Sequence, residues 1–176
     1  MEFPRLETER LYLRELALDD ALDVQEQFSD PLVTEHMDIE PCNDLKSARE
    51  IVSFHLHDTG VRWGVFSRRP ERLIGTCGFH CWDTATARAE IGFDLRREHW
   101  GQGLMKEAVI AALRFGFSRM SLASMYADVE PLNARSIGLL LRLGFEHQTH
   151  MPHSEGLLVY ELSAVRYRLQ NSSATQ

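Results

Sequence analysis

Two glycines one residue apart, Gly101 and Gly103, constrain the fold of this chain more than any other feature of its sequence. The segment 89–95 before them is strand-like, and apolar side chains at spacings of four, three and four residues after them predict a helix over 104–118. The order of strand, tight turn and helix places the glycines where the backbone must bend freely and where a ligand can approach the main chain closely.

The first amides of a helix have no partners within the helix and lie at the positive end of its dipole, so this turn can form a cradle for a phosphate or pyrophosphate. Neither common phosphate motif is present. Lys106 stands where the third glycine of the dinucleotide fingerprint would be, and no Gly-Lys-Ser/Thr follows a four-residue spacer. The two glycines alone fit either a simple turn or a phosphate cradle of another kind.

Length and composition predict one globular domain. The chain has 176 residues, of which 44% are hydrophobic and 26% charged. We expect a single domain over residues 1–170 and a disordered polar tail over 171–176. The net charge of −7 argues against nucleic-acid binding through bulk charge and is compatible with a cationic substrate. No apolar run of membrane length and no N-terminal signal pattern is seen, so a cytoplasmic location without membrane attachment is the expectation.

The three cysteines of the sequence form no CxxC pair and are expected to be free thiols in a reducing compartment. Cys77, His80 and Cys81 lie close together on a predicted strand. Alternate residues of a strand face opposite ways and no second pair of ligands is present, so no metal site is predicted.

Along the chain, strands and helices alternate in a pattern typical of an α/β domain with a mixed sheet. The predicted strands are residues 6–16, 62–66, 73–82, 88–95, 123–129, 146–152 and 157–162. The predicted helices are 19–28, 45–57, 104–118 and 133–143, with residues 31–44 irregular. Asn133 is of a residue type that caps helix N-termini.

Five segments together resemble a known family: residues 90–93, the turn and helix start at 100–108, residues 133–136 followed by 143–145, and the opening 6–15. The combination is similar to the GNAT superfamily of acetyl-CoA-dependent N-acetyltransferases, and specifically to its RimJ/RimL-like branch, over roughly residues 5–165. The resemblance implies a GNAT-like single domain with a mixed, mostly antiparallel central sheet of about seven strands flanked by about four helices.

The resemblance also implies acetyl-CoA as cosubstrate, with no metal. In the family, amides of the glycine turn hold the pyrophosphate, and the main chain of the preceding strand pairs with the pantetheine arm, where the strands bearing Glu90 and Tyr126 would splay apart. Carried onto this sequence, the cofactor-binding residues are Phe93, Asp94, Leu95, Arg96, Glu98, His99, Trp100, Gly101, Gln102, Gly103, Leu104, Met105, Asn133 and Ser136.

For catalysis, the resemblance points to Glu90 as the base that accepts the proton of the attacking amine, with Asp128 and Glu130 as alternatives. Leu140 stands where many members carry a tyrosine that protonates the leaving thiolate. Ser136, through its hydroxyl or a water, is the candidate substitute, although a helix-stabilising role fits this serine equally well.

The implied reaction is direct attack of a primary amine on acetyl-CoA. The acceptor would be a protein N-terminal amine or a small molecule, with a cationic acceptor favoured by the acidic chain. The helices within 19–57 and the loops near 83 and 150 would form the acceptor site. Two alternatives stay open: a non-catalytic CoA-binding or regulatory module on the same fold, and transfer of a longer acyl chain. A homodimer is an expectation by resemblance.

Overall fold

Eight strands and six α-helices are found in the computed structural model, which describes residues 4–57, 60–150 and 156–172. The strands are β1 (Leu6–Glu7), β2 (Leu11–Arg14), β3 (Val61–Arg68), β4 (Glu71–Asp83), β5 (Arg88–Leu95), β6 (Ser124–Val129), β7 (Glu146–His147) and β8 (Leu158–Ser163). The helices are α1 (Ala21–Phe28), α2 (Pro31–Thr34), α3 (Leu45–His57), α4 (Leu104–Ser118), α5 (Ala134–Arg142) and α6 (Ala164–Ser172). Short 3-10 turns lie at Leu18–Asp20 and Arg97–His99.

The strands are hydrogen-bonded in the order β1-β2-β3-β4-β5-β6-β8-β7. The pairs β1-β2, β2-β3, β3-β4, β6-β8 and β7-β8 are antiparallel, whereas β5 and β6 are parallel. This confirms the predicted α/β fold with a mixed, mostly antiparallel sheet, with eight strands where about seven were expected and six helices where about four were expected.

The chain forms two compact units, and the first comprises Met1–His80 and Gly92–Ala112. Its helices α1 and α3 pack their apolar stripes over β2 and β3 because Ala21, Val24 and Phe28, and then Ala48 and Val52, recur at helical spacing. The buried cluster that results contains Tyr12, Leu16, Ala21, Val24, Phe28, Cys42, Ala48, Val52, Phe66 and Leu73.

The second unit comprises Cys81–Ile91 and Leu113–Gln176. Its strand β6 alternates strictly between buried and half-buried residues, so one face of the strand carries Met125, Ala127 and Val129 into the core. The other face carries polar side chains, among them Tyr126 and Asp128. The candidate base Glu90 is the register partner of Tyr126 on this strand, and the alternative Asp128 lies on the same polar face.

Two short elements were not predicted. Helix α2 lies within the stretch expected to be irregular, where Pro31 occupies its first turn and the Asp30 carboxylate caps it by accepting from the Leu32 N–H at 3.0 Å. Helix α6 follows β8 directly. It has a weak apolar stripe, and Val165 and Leu169 are each 66% exposed, so periodicity gave no signal for it.

Predicted boundaries shifted at both ends of the chain. Residues 6–16 form two antiparallel strands, β1 and β2, around a turn in which the Thr8 N–H donates to the Leu11 carbonyl. The predicted strand 146–152 is a strand only at Glu146–His147, and residues 151–155 lie outside the described residues. Asn171 and Ser172 belong to α6, and the predicted disorder of 173–176 falls outside the described residues. None of the described helices has the length and apolar character to cross a membrane.

Candidate functional site

The glycine turn connects the end of β5 to the start of α4 as predicted. Gly101 has φ of +74° and Gly103 has φ of +75°, a left-handed conformation that side-chain-bearing residues rarely adopt. A Cβ built on Gly101 would meet no described atom within 4 Å, and one on Gly103 would meet only Nη2 of Arg10, at 3.7 Å. Open space therefore lies over both glycines. Glycine is favoured at these positions by the left-handed backbone conformation and not by a lack of room for a side chain.

The first turn of α4 supplies backbone amides directly after the glycines. The first helical hydrogen bond runs from the Glu107 N–H to the Gly103 carbonyl at 3.1 Å. The amides of Leu104, Met105 and Lys106 therefore lie ahead of the helical ladder, at the positive end of the helix dipole. Such an arrangement can bind an anion through N–H donors without any positively charged side chain.

The segment before the glycines is held by its own hydrogen bonds. The Trp100 N–H donates to the Arg97 carbonyl at 3.1 Å, and the Gln102 side-chain amide donates to the Glu98 carbonyl at 2.8 Å. The Glu98 side chain is exposed. Burial is the main cause that lowers the pKa of His99 below its ordinary value; Glu98 raises this pKa, and Arg96 and Arg72 lower it further. The shift favours the neutral imidazole.

The side chains of Asp94 and Arg96 are structural. The Asp94 carboxylate accepts from the Thr76 N–H at 3.0 Å, from Arg62 Nη2 at 2.7 Å and from the side-chain amide of Gln27. Arg96, which is 4% exposed, donates to Asp23 and Glu26 of α1. At these two positions only the main chain remains for a ligand.

Hydrogen-bond direction shows which edge the main-chain groups at the end of β5 face. The Arg96 N–H donates to the Ile74 carbonyl of β4 at 2.8 Å. The main-chain N–H and C=O groups of the even-numbered residues at this end of β5 therefore point toward β4. Successive backbone groups of a strand point to opposite edges, so the N–H and C=O of Phe93 and Leu95 face away from β4. The Trp100 indole N–H donates to the Leu95 carbonyl at 2.7 Å. The β5–β6 register ends at Glu90 and does not include Phe93.

In the second unit, Glu90 and Tyr126 form the last of three pairs between the parallel strands β5 and β6. Burial is the main cause that raises the pKa of Tyr126 to about 12, and the neighbouring Glu90, Cys81 and Asp128 raise it further. The Arg88 guanidinium lies 4.2 Å from the centre of the Tyr126 ring. Tyr126 is therefore a neutral phenol throughout the physiological pH range, beside the Glu90 carboxylate.

The predicted cap of α5 is confirmed. The Asn133 side-chain oxygen accepts from the Ser136 N–H at 3.1 Å, and Ser136 is half-buried in the first turn of the helix. Leu140 is fully buried in the core of the second unit and has no proton to donate. Within residues 4–57, 60–150 and 156–172, no group of three or more His, Cys, Asp or Glu side chains could hold a metal ion.

The structure adds one residue that the sequence analysis did not select. Arg10, in the turn between β1 and β2, donates from Nη1 to the Gln102 carbonyl at 3.0 Å and from Nε to the Glu107 carboxylate at 2.7 Å. No local motif signals this role, because Arg10 and Gln102 are 92 residues apart in sequence.

Comparisons with known proteins bear on the family and the fold of the chain. Residues 10–146 match the family described as "Acetyltransferase (GNAT) domain". The chain is 40% identical over 147 residues to an uncharacterized N-acetyltransferase, p20, of Bacillus licheniformis, across 81% of this chain and 83% of that protein. It is 31% identical over 99 residues to the [ribosomal protein uS5]-alanine N-acetyltransferase of Escherichia coli (strain K12), across 56% of this chain and 51% of that protein.

Among solved structures, a GCN5-related N-acetyltransferase from Brucella melitensis superposes with a TM-score of 0.86, over 99% of this chain and 85% of that one. At 13% sequence identity this likeness concerns the fold alone.

Proposed function

The chain belongs to the GNAT acetyltransferase family, and on this premise we propose that it transfers the acetyl group of acetyl-CoA to a primary amine. The amine nitrogen attacks the thioester carbonyl carbon, the C–S bond breaks, and the thiolate of CoA leaves with a proton while the amine becomes an amide. The observation that carries the proposal is the glycine turn, whose two left-handed residues open onto the unpaired first amides of α4.

We assign the CoA pyrophosphate to the amides of this turn, with Glu98, His99, Trp100, Gly101, Gln102, Gly103, Leu104 and Met105 around it. The pantetheine arm is assigned to the main chain of β5 at Phe93, Asp94, Leu95 and Arg96. The main-chain groups of Phe93 face away from β4 and lie beyond the β5–β6 register. This position supports the assignment, because pantetheine carries amide groups that can pair with a strand edge. Asn133 and Ser136 remain proposed cofactor contacts besides their capping roles.

Glu90 is the proposed base. A protonated alkylammonium cannot attack a thioester, so a carboxylate that accepts its proton, directly or through water, raises the fraction of reactive amine. The pairing of β5 with β6 reaches Glu90 and Tyr126, and both strands continue past this pair. We propose that the two strands splay beyond this pair, as the family resemblance implies for the reacting centre. Ser136 is the proposed acid for the thiolate, since Leu140 cannot donate.

The proposed acceptor is a protein N-terminal amine or a cationic small molecule. A relative that acts on the alanine of ribosomal protein uS5 favours a protein N-terminus. The net charge of −7 favours a cationic acceptor of either kind. A panel of N-terminal peptides and polyamines, assayed by release of free CoA thiol, distinguishes the two.

Calorimetric titration of acetyl-CoA into the purified protein tests the cofactor assignment. We expect a micromolar dissociation constant, about −8 kcal/mol, for acetyl-CoA and no binding of NAD. Dephospho-CoA, which retains the pyrophosphate, is expected to bind as well. Absence of binding by acetyl-CoA would reduce the glycine turn to a structural turn and contradict the proposal.

Replacing Glu90 with glutamine tests the base. We expect a fall in kcat of about 100-fold, within the usual range for general-base catalysis, with little change in CoA affinity. Without the carboxylate the amine must lose its proton to water, so we expect the acidic limb of the pH–rate profile to differ between the variant and the wild type. Tyr126, with its pKa raised to about 12, cannot produce a limb in this range.

An unaltered pH profile in the Glu90→Gln variant would remove Glu90 as the base and leave Asp128 and Glu130 as the candidates. A second candidate function is a CoA-binding module without catalysis. Leu140 favours this alternative, because it is buried and cannot protonate the leaving thiolate. CoA binding without acetyl transfer to any amine of the panel would favour that module.

A further inference from the structure

We propose that Arg10 is the cation of the glycine turn, a side chain that both holds the turn in place and contacts the pyrophosphate of the bound cofactor. The inference rests on the proposed function and assigns one residue within it. Arg10 belongs to the turn between β1 and β2, far in sequence from the glycines and from α4.

Two of the three guanidinium nitrogens of Arg10 hold the turn. Nη1 donates to the Gln102 carbonyl at 3.0 Å, between the two glycines, and Nε donates to the Glu107 carboxylate at 2.7 Å. A guanidinium is planar, so these two bonds fix the position of the third nitrogen as well. Arg10 therefore holds the Gln102 peptide in position relative to α4, and the same two bonds hold its Nη2 in place.

The third nitrogen is directed at the open side of the turn. Nη2 lies 3.7 Å from the position that a Cβ on Gly103 would take. The Arg10 side chain is 48% exposed, so the guanidinium is also accessible to a ligand entering from solvent. A guanidinium edge next to unpaired helix amides is a combination suited to phosphate oxygens.

Arg10 also compensates the negative charge of the Glu107 carboxylate, which would otherwise repel a bound anion. Glu107 lies in the first turn of α4, and its carboxylate accepts from the Thr8 hydroxyl at 2.5 Å and the Arg10 N–H at 2.8 Å. Burial raises the pKa of Glu107, but the bonds from Thr8 and Arg10 outweigh burial and hold this pKa below its ordinary value. The carboxylate is thus ionised at neutral pH, and without Arg10 it would repel a phosphate at the helix start.

Calorimetry with CoA and with dephospho-CoA tests the assignment in the full-length protein. We expect Arg10→Ala to weaken both ligands equally, by tenfold or more, because both carry the pyrophosphate. Arg10→Gln, which keeps a neutral N–H donor of similar reach, provides a second variant should the alanine variant fold poorly, and we expect a comparable loss. The melting temperature of each unliganded variant reports on folding independently.

Arg68→Ala is the matched control. Arg68 supports the same N-terminal turn, donating to the Thr8 carbonyl at 3.0 Å and to Glu7, and it is not among the residues that a Cβ on either glycine would meet. We expect this variant to bind both ligands with wild-type affinity. An equal loss in Arg68→Ala would show that affinity depends only on the order of the turn and would overturn the assignment.

A second background separates direct contact from charge compensation. In a Glu107→Gln protein the opposing carboxylate is gone, and we expect Arg10→Ala still to weaken CoA by tenfold or more. Recovery of wild-type affinity in the double variant would mean that Arg10 only offsets Glu107, and would overturn the contact. A loss confined to CoA and absent with dephospho-CoA would place Arg10 on the 3′-phosphate instead, which also contradicts the proposal.

Wild-type affinity and variant affinity together distinguish a failure of the proposed function from a failure of the Arg10 assignment. If the wild-type protein binds neither CoA nor dephospho-CoA, the proposed function itself is contradicted. If the wild type binds both and Arg10→Ala binds them equally well, only the role of Arg10 is overturned.

Discussion

Replacing Gly103 with aspartate is expected to weaken CoA binding by at least about 100-fold, or about 3 kcal/mol. The introduced carboxylate would lie over the amides that we assign to the pyrophosphate, and two like charges about 4 Å apart repel by roughly 4 kcal/mol near a protein surface. It would also compete for the Arg10 guanidinium, whose Nη2 is 3.7 Å from the new Cβ position. Calorimetric titration of CoA measures the effect.

Gly103→Asn is the control for this variant. Asparagine has nearly the same shape and tolerates the left-handed conformation about as well as aspartate, so both variants carry the same strain at φ of +75°. Only the charge differs. We expect the asparagine variant to bind CoA at least tenfold more tightly than the aspartate variant. Equal affinities in the two variants would contradict an anion site at the turn.

Replacing Asp94 with alanine is expected to destabilise the fold by about 3–5 kcal/mol, the usual result of breaking a buried ion pair from one side. Arg62 and Asp94 are paired at 2.7 Å with side chains only 9% and 4% exposed. The variant would leave the Arg62 guanidinium buried without its carboxylate, and would also remove the acceptor of the Thr76 N–H. For a chain of this size the melting temperature should fall by roughly 6–20 °C.

Glu50→Ala gives the matched comparison for this loss. Glu50 pairs with Lys46 on the outside of α3 at 3.8 Å, with side chains 68% and 87% exposed. Such exposed pairs contribute about 0–1 kcal/mol, so the melting temperature should hardly change. Chemical denaturation of both variants decides the point. A loss below about 1 kcal/mol in Asp94→Ala would mean that the ion pair is not what holds the end of β5.

Helices with clear hydrophobic periodicity or a recognisable capping residue were predicted correctly from the sequence. The predicted helices 45–57 and 104–118 correspond to α3 and α4, because apolar side chains recur at helical spacing in both. Gly103 directly before Leu104 marks the start of α4. The cap of α5 by Asn133 was likewise readable, since an asparagine at this position satisfies a first-turn amide whatever surrounds it. Helices α2 and α6 were missed, because four residues carry no period and the apolar residues of α6 remain exposed.

Some residues of the candidate site could be selected from the sequence, whereas the surroundings of others could not be predicted. The glycine turn, β5 and Glu90 were selected from the sequence and the family resemblance, and their roles in binding and catalysis stay proposals. The environment of Asp94 could not be predicted, because its partners come from α1, β3 and β4, at sequence separations of 67, 32 and 18 residues. Nothing in the local sequence distinguishes an aspartate bound by main-chain and guanidinium donors from one that faces solvent.

The sequence by itself determined the order of strand, turn and helix, since backbone conformation at Gly101 and Gly103 and side-chain periodicity in α4 are local properties. Only the tertiary structure decided which charges meet at that turn. It brought Arg10 to Gln102 and Glu107 across more than ninety residues of chain. It also turned the carboxylate of Asp94 inward to Arg62. Such pairings depend on how strands align in the sheet, a long-range choice that no local pattern encodes.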